Sequence, residues 1–258
     1  MVKCEKIWEM YMTVAKYDAS GNDFIIFHSD IEKDYSNLAI KLCNRENSIG
    51  ADGLIVIVPD NTLDFKWLFY NSDGSYAAMC GNGTRACAHY AFDNNLAKKD
   101  MCFLTGAGKI CCKVDGNIVQ TTMTKPKVIK ESFEELGFTW YIVDTGVPHI
   151  VTIIDDLEKF DLDICSKMRY KYDCNVNFAK VEDGKLFVRT YERGVEGETL
   201  ACGTGMVASF LRALELDLID TCVDVYPKSN EKLTIKKDDT NIYFKGAVTK
   251  EFIREIDV

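Results

Sequence analysis

Two cysteine motifs, one in each half of the chain, hold the residue types best suited to chemistry. The first reads Ala78-Met79-Cys80-Gly81-Asn82-Gly83-Thr84-Arg85, and the second Leu200-Ala201-Cys202-Gly203-Thr204-Gly205-Met206-Val207. In each, a thiol directly precedes a Gly-X-Gly turn and a run of small residues that reads as a helix. A thiol at a helix N-terminus meets unpaired backbone N–H groups and the positive end of the dipole. That setting lowers a thiol pKa and binds anions such as carboxylates. One such thiol suits a nucleophile or base; two in matching settings suit a pair facing a single carbon. Inverting a carbon that bears hydrogen needs a base on one face and an acid on the other, with the roles exchanged in the reverse direction. Backbone N–H donors aimed at a neighbouring carboxylate stabilise the enolate-like charge that deprotonation creates.

Other uses of two cysteines compete with this reading: a disulfide, a redox dithiol, a metal site, or two buried structural thiols. A stable disulfide does not suit a reducing cytosol. Redox dithiols are usually close in sequence, and these are not. No further ligands stand at zinc spacing around either motif. The duplication, with glycines flanking both thiols, favours a functional pair over buried structural cysteines.

The elements that must position the thiols are repeated as well. Gly53–Val58, Phe65–Tyr70 and a polar loop at Asn71-Ser72-Asp73-Gly74-Ser75 lead into the first motif. Asn177–Val181, Leu186–Tyr191 and Glu192-Arg193-Gly194 lead into the second. Each set reads as strand, turn, strand, polar glycine-containing loop, thiol and helix. Upstream, Gly21-Asn22-Asp23-Phe24-Ile25-Ile26 corresponds to Gly146-Val147-Pro148-His149-Ile150-Val151, a glycine-led turn entering an apolar strand. Further strands are expected over 110–123 and 222–248. The helices, 85–92 and 207–214, are apolar nearly all round, which suits central buried helices. The chain therefore reads as α+β: two similar units, each wrapping strands around a helix that carries the thiol at its start. The stretch from Lys125-Pro126-Lys127 to Gly137 is the expected boundary between them.

Composition narrows the classes. The chain has 258 residues, enough for one large or two smaller domains with proper cores. A net charge of −9 argues against a nucleic-acid surface or an anionic membrane as partner. No uninterrupted apolar run approaches the roughly 20 residues needed to span a bilayer. Charges occupy the N-terminal positions where a signal peptide would be apolar, so a cytoplasmic protein is expected. Eleven cysteines cannot all pair internally. Cys43, Cys87, Cys102, Cys111, Cys112, Cys165, Cys174 and Cys222 are expected to be free thiols acting as small hydrophobes.

With these motifs the chain resembles the diaminopimelate epimerases, cofactor-independent amino-acid epimerases with two catalytic cysteines. The resemblance rests on six ordered segments: Gly21-Asn22-Asp23-Phe24; Phe69 through Ser75; Cys80 through Arg85; Gly146-Val147-Pro148-His149; Asn175-Val176-Asn177-Phe178; and Tyr191-Glu192-Arg193-Gly194 through Gly205. It implies two pseudo-symmetric domains, each a sheet or barrel around a central helix, with the active site in the cleft between them. Residues 12–127 would form the first domain and 128–249 the second, with a last strand, 250–258, that can cross back to the first. Residues 1–11 have no counterpart and would be an extension, leaving Met12 as an alternative translation start.

The resemblance also implies a role for each matching position. Cys80 and Cys202 would be the acid–base thiols, supported by His149 and Glu192. The backbone of Gly81, Asn82, Gly203 and Thr204 would hold the reacting carboxylate. Asn22, Asn71, Asn175, Glu192 and Arg193 would hold the substrate's far amino-acid end, where Arg193 can pair with a carboxylate through two bonds. No metal or pyridoxal phosphate is implied; a homodimer is. The reaction would interconvert LL- and meso-diaminopimelate for lysine and cell-wall synthesis. Two departures from the pattern are Gly53 and Val147, where some members carry amide side chains. Proline racemases, a related alternative, carry histidine at the position of Asn82. A non-catalytic binder or a redox-sensing dithiol protein is the alternative from another class.

Overall fold

The computed structural model describes residues 11–257. The expected extension at 1–11 lies outside the described residues except for Tyr11, which opens the first strand. The first half runs β1 (Tyr11–Ala19), β2 (Asn22–His28), α1 (Ser36–Cys43), β3 (Gly53–Val58), β4 (Phe65–Asn71), α2 (Gly81–Asp93), β5 (Asp100–Thr105), β6 (Gly108–Asp115) and β7 (Ile118–Thr122). The second runs β8 (Lys127–Glu135), β9 (Phe138–Asp144), β10 (Pro148–Ile153), α3 (Leu162–Tyr172), β11 (Asn175–Glu182), β12 (Lys185–Glu192), β13 (Gly197–Thr199), α4 (Gly203–Glu215), β14 (Cys222–Tyr226), β15 (Leu233–Lys237) and β16 (Ile242–Ala247). β17 (Thr249–Asp257) closes the chain's described part.

Strand pairing repeats between the halves. β2 and β3 are parallel, as are β10 and β11. β4 and β5 are parallel, as are β12 and β14. The remaining neighbours within each half pair antiparallel, and β7 pairs with β16 to join the halves through one continuous ladder. The repeat is offset by one strand. β8 pairs with β9 in the second half, whereas the equivalent edge of the first half, β1, pairs with β17 from the far end of the chain. The architecture is α+β, two pseudo-symmetric sheets each closing on its own helix.

Burial explains the sequence pattern of each strand. In β2, Phe24 and Ile26 face α2, while Ile25 and Phe27 face α1 on the outside. In β3, Ile55 and Ile57 turn to α2, and Leu54, Val56 and Val58 turn to α1. Both faces are covered, so these strands are apolar throughout instead of alternating. α2 carries small residues, Ala86, Cys87, Ala88 and Ala91, because strands surround it on every side. α4 packs Met206, Val207, Phe210 and Ala213 against Val188, Val223, Ile235 and Phe244 in the same way. Full burial of a single large apolar side chain in these cores contributes about 1.5–3 kcal/mol.

The structure differs from the sequence reading at four places. Both central helices start at the residue after the thiol, so Gly81-Asn82-Gly83 and Gly203-Thr204-Gly205 are first helical turns and not separate turns. The expected boundary region is mostly strand: Lys127–Glu135 forms β8, whose register shifts twice along β9. Cys102 and Cys111, expected to be free, are joined as a disulfide. The hairpin β5–β6 sets them directly opposite one another, with Cα atoms 4.1 Å apart. Cys222 is free but exposed, because alternation along β14 turns Val223 and Val225 inward and leaves position 222 outside.

Peptide mapping without reductant checks the register of this hairpin. The peptides containing Cys102 and Cys111 are expected to migrate as one cross-linked species and to separate on reduction. Recovery of Cys102 joined to any other cysteine would show that the β5–β6 pairing is wrong.

Candidate active site

A cavity of about 740 Å³ opens between the halves, and the first turns of α2 and α4 both border it. Its lining contains Asn22, Asn71, Cys80, Gly81, Asn82, Asn175, Glu192, Arg193, Cys202, Gly203 and Thr204. His149 is absent from that lining; it is fully buried one layer behind.

Each thiol caps its helix. Cys80 is the N-cap of α2 in an extended conformation (φ −150°, ψ 118°), and its sulfur accepts the Gly83 N–H at 3.3 Å. Cys202 is the N-cap of α4 (φ −123°, ψ 105°). Neither helix has an acidic residue in its first turn, so no side chain of their own offsets the positive end of the dipole. Packing requires the second glycine of the second motif and leaves little room at that of the first. A Cβ on Gly205 would fall 2.3 Å from Asn177 Oδ1, and one on Gly83 would press on Cys80 Cβ at 3.3 Å. The first glycine of the first motif, Gly81, has open space where its Cβ would be.

The surroundings of the two sulfurs are not alike. Burial raises the Cys80 thiol, and the backbone N–H groups of Gly83 and Asn82 oppose that rise. Its S–H points to Asn22 Oδ1 at 3.7 Å. Cys202 is held well above the ordinary thiol range by burial and then by the charge of Glu192, which bonds to it. Burial in turn raises Glu192, and its bond to Cys202 works against that. Cys202 is the protonated partner of this pair.

A polar chain supports Thr204. Asn177 donates to the Ile150 carbonyl at 3.1 Å and accepts from Thr190 Oγ1 at 2.9 Å, which fixes the orientation of its amide. The same Nδ2 lies 3.0 Å from His149 Nδ1, so that nitrogen accepts and the ring proton belongs on Nε2. Nε2 then donates to Thr204 Oγ1 at 2.9 Å, leaving the threonine hydroxyl to donate to Cys202 Sγ at 3.6 Å. Burial lowers His149 to about 3, so it is neutral. His149 touches neither sulfur directly; Thr204 links it to Cys202.

The far part of the cavity is built from amides and charges. Asn175 accepts the Arg193 N–H at 2.9 Å and donates to the Pro148 carbonyl at 3.1 Å, which sets the loop after β12. Arg193 Nη1 bonds the backbone and carboxylate of Asp173 at 3.0 and 3.1 Å. Asn71 donates to Ser75 Oγ at 2.9 Å. Asn22 donates to Asp52 Oδ2 at 2.6 Å. Sequence reading passed over the network behind Asn22. There Arg45 spans Asp23 (2.7 and 3.0 Å) and Asp52 (2.8 Å), and Lys16 pairs with Asp23 at 2.8 Å. The signal was Asp23 inside the Gly21-Asn22-Asp23-Phe24 segment. Gly53 admits no side chain, since a Cβ would lie 2.5 Å from the Phe69 ring, which also lines the cavity.

The profile of the family described as "Diaminopimelate epimerase" matches residues 14–129 and 141–251. A diaminopimelate epimerase of Nitratiruptor sp. is 52% identical over 242 residues, covering 93% of this chain and 97% of that one. The corresponding enzyme of Helicobacter pylori is 39% identical over 256 residues, covering 92% and 93%. Among solved structures, a phenazine biosynthesis protein of the PhzF family from Enterococcus faecalis superimposes with a TM-score of 0.74 at 14% identity, covering 96% of this chain and all of that one (100%). A hydroxyproline epimerase from Agrobacterium vitis gives 0.71 at 11% identity, covering 97% and 94%. At these identities the structural likeness is one of fold.

Two stability outcomes follow from the site's framework. Gly205→Ala is expected to cost about 1–3 kcal/mol in denaturant unfolding through overpacking against Asn177. A variant as stable as the parent would mean that Asn177 is not fixed as described. For Asp23, burial pulls the carboxyl upward, but the bonds from Arg45 and Lys16 outweigh it and hold it at about 2, below the ordinary 3.8. Its contribution, about 2 kcal/mol, is present above the unfolded-state pKa and is lost as pH falls through the folded one. The stability gap between parent and Asp23→Asn should be full above about pH 4 and close towards pH 2. A gap that stays constant across that range would remove the ion network as its cause.

Proposed function

The chain belongs to the diaminopimelate epimerase family, and we propose on that premise that it interconverts LL- and meso-2,6-diaminopimelate by proton transfer between two thiols. The observation that carries this reading is the pair of N-capping cysteines, each at the mouth of its own helix and both lining one cavity.

The α-carboxylate is held by backbone N–H groups of the two first turns, from Gly81, Asn82, Gly203 and Thr204. These donors point to where charge grows as the α-carbon loses its proton. In one direction the Cys80 thiolate removes that proton and the Cys202 thiol delivers another to the opposite face. This leaves Cys80 protonated and Cys202 as thiolate, the starting state for the reverse direction. Glu192, beside Cys202, passes a proton from solvent to that sulfur while Cys80 releases its own proton to solvent, and the pair returns to its first state. Thr204, oriented by His149, donates to the Cys202 sulfur and stabilises it when it is charged. The distal amino-acid group is met by Asn22, Asn71, Asn175 and Arg193. For a substrate carboxylate, Arg193 exchanges its contact with Asp173 or uses its remaining N–H groups. The reading includes a cytoplasmic site of action, supported by the role the resemblance implies in lysine and cell-wall precursor synthesis. It also includes a homodimer, supported by the same resemblance.

Proton NMR of LL-diaminopimelate with the reduced protein in D₂O tests the reaction. The α-proton signal is expected to disappear while the meso isomer appears. Cys80→Ala and Cys202→Ala are each expected to lower epimerisation about 1,000-fold or more while remaining folded. Appreciable turnover by either variant would remove the two-thiol mechanism. Exchange on proline or histidine, with none on diaminopimelate, would reassign the substrate.

A further inference from the structure

Arg85 lies in the second turn of α2 and is fully buried (0% exposed). Its Nη2 donates to Ser20 Oγ at 2.5 Å and to Asn82 Oδ1 at 3.1 Å, and Nη1 reaches the Gly81 carbonyl at 3.5 Å. Its Nε is buried and meets no acceptor among the described residues. The guanidinium stands 4.7 Å from the centre of the Phe244 ring on β16, and Gly246 leaves it room. A Cβ at 246 would lie 3.1 Å from Nε.

Among the described residues, none forms a salt bridge with this arginine. An unpaired buried cation is costly, and a protein retains one where a counter-charge arrives or where its bonds fix a needed shape. Burial lowers it only to about 10, so it is charged at neutral pH. Charges that act on it are Glu231, whose carboxyl burial pushes up, Asp18, likewise raised by burial, and the thiols of Cys80 and Cys112. All three of its hydrogen-bond partners, Ser20, Gly81 and Asn82, line the cavity. The bond from Arg85 to Asn82 Oδ1 fixes the orientation of this amide at the cavity wall.

The second half has no equivalent. The position matching Arg85 is Val207, buried in apolar surroundings. The pseudo-symmetric thiols are therefore made different by charge. A cation stands behind Cys80, where it lowers the thiol pKa, and a carboxylate stands beside Cys202, where it raises it. Glu192 also acts on Cys80, in the raising direction.

We propose that Arg85 is a positioning residue for this reaction. It is a buried cation that holds the first turn of α2 in its carboxylate-binding shape and supplies the missing counter-charge for the bound carboxylate and the Cys80 thiolate. The assignment rests on the carboxylate site described under the proposed function. It favours ionisation of Cys80 over that of Cys202, against the burial that raises both thiols.

Alkylation of Cys80, followed by peptide mass mapping, tests this without relying on turnover. In the parent, anionic iodoacetate should react faster relative to neutral iodoacetamide than it does with free cysteine. Arg85→Met should lower that ratio about tenfold, the scale on which a local field concentrates an anion. It should also raise the pH midpoint of alkylation by about one unit. Arg85→Lys, which keeps the charge, should restore both towards the parent. In turnover assays Arg85→Met should raise KM for diaminopimelate about tenfold or more, the loss typical of a charge-assisted contact. If Arg85→Met does not fold, Arg85→Gln, which keeps hydrogen-bond donors without the charge, takes its place with the same expected loss of ratio. No anion preference in the parent, or an unchanged ratio and midpoint in folded Arg85→Met, would reduce Arg85 to a packing role. A parent that shows the preference but no exchange on diaminopimelate would overturn the substrate and leave the arginine assignment standing.

Discussion

The positive ends of two helices must meet at one point, and most of the molecule is arranged to allow it. Like partial charges repel, so two N-termini converge stably only where an anion is to be received or where packing forces them together. Here packing does the forcing. Each helix is enclosed by its own sheet, and glycine at positions 83 and 205 lets the first turns sit against Trp67 and Asn177 with no side chain between. The first turns carry neither aspartate nor glutamate. The field at the cleft is thus available to whatever carboxylate enters.

A field shared by two helices would treat both thiols alike, and the structure departs from this through neighbours that break the repeat. Arg85 and Val207 occupy equivalent positions, and non-equivalent side chains meet the two sulfurs, Asn22 at Cys80 and Thr204 at Cys202. Duplication provides two thiols lining one cavity; divergence of a few adjoining residues gives them different polar and charged neighbours. Asn177, His149 and Thr204 form a relay of fixed donors on one side. Arg45, Asp23 and Asp52 form an ionic frame on the other.

Much of this was legible in the sequence because each motif combined a local signal with a copy elsewhere. Strand and helix types followed from apolar runs and small residues, and every residue singled out for the site except His149 lines the cavity. What could not be read were features set by strand register and depth. Cys102 and Cys111 become partners only when β5 and β6 align. The helix starts were displaced because glycine reads as a turn former, while here it serves close packing. His149 lies one layer behind the cavity, a depth that the residue type alone does not give. Arg85 was visible inside its motif, yet nothing along the chain announces that it has no carboxylate partner.

The offset of the repeat by one strand has a consequence for how the molecule is made. β1 carries on its outer edge a strand, β17, that follows it by nearly the whole chain. During synthesis the first half emerges with that edge open, a row of unpaired backbone groups of the kind that recruits other strands. The second half, whose edge β8 precedes β9 directly, has no such wait. The half that emerges first is therefore completed last. Pairing at such sequence separation is slow, which makes the nascent edge the point at which a chaperone has most to protect.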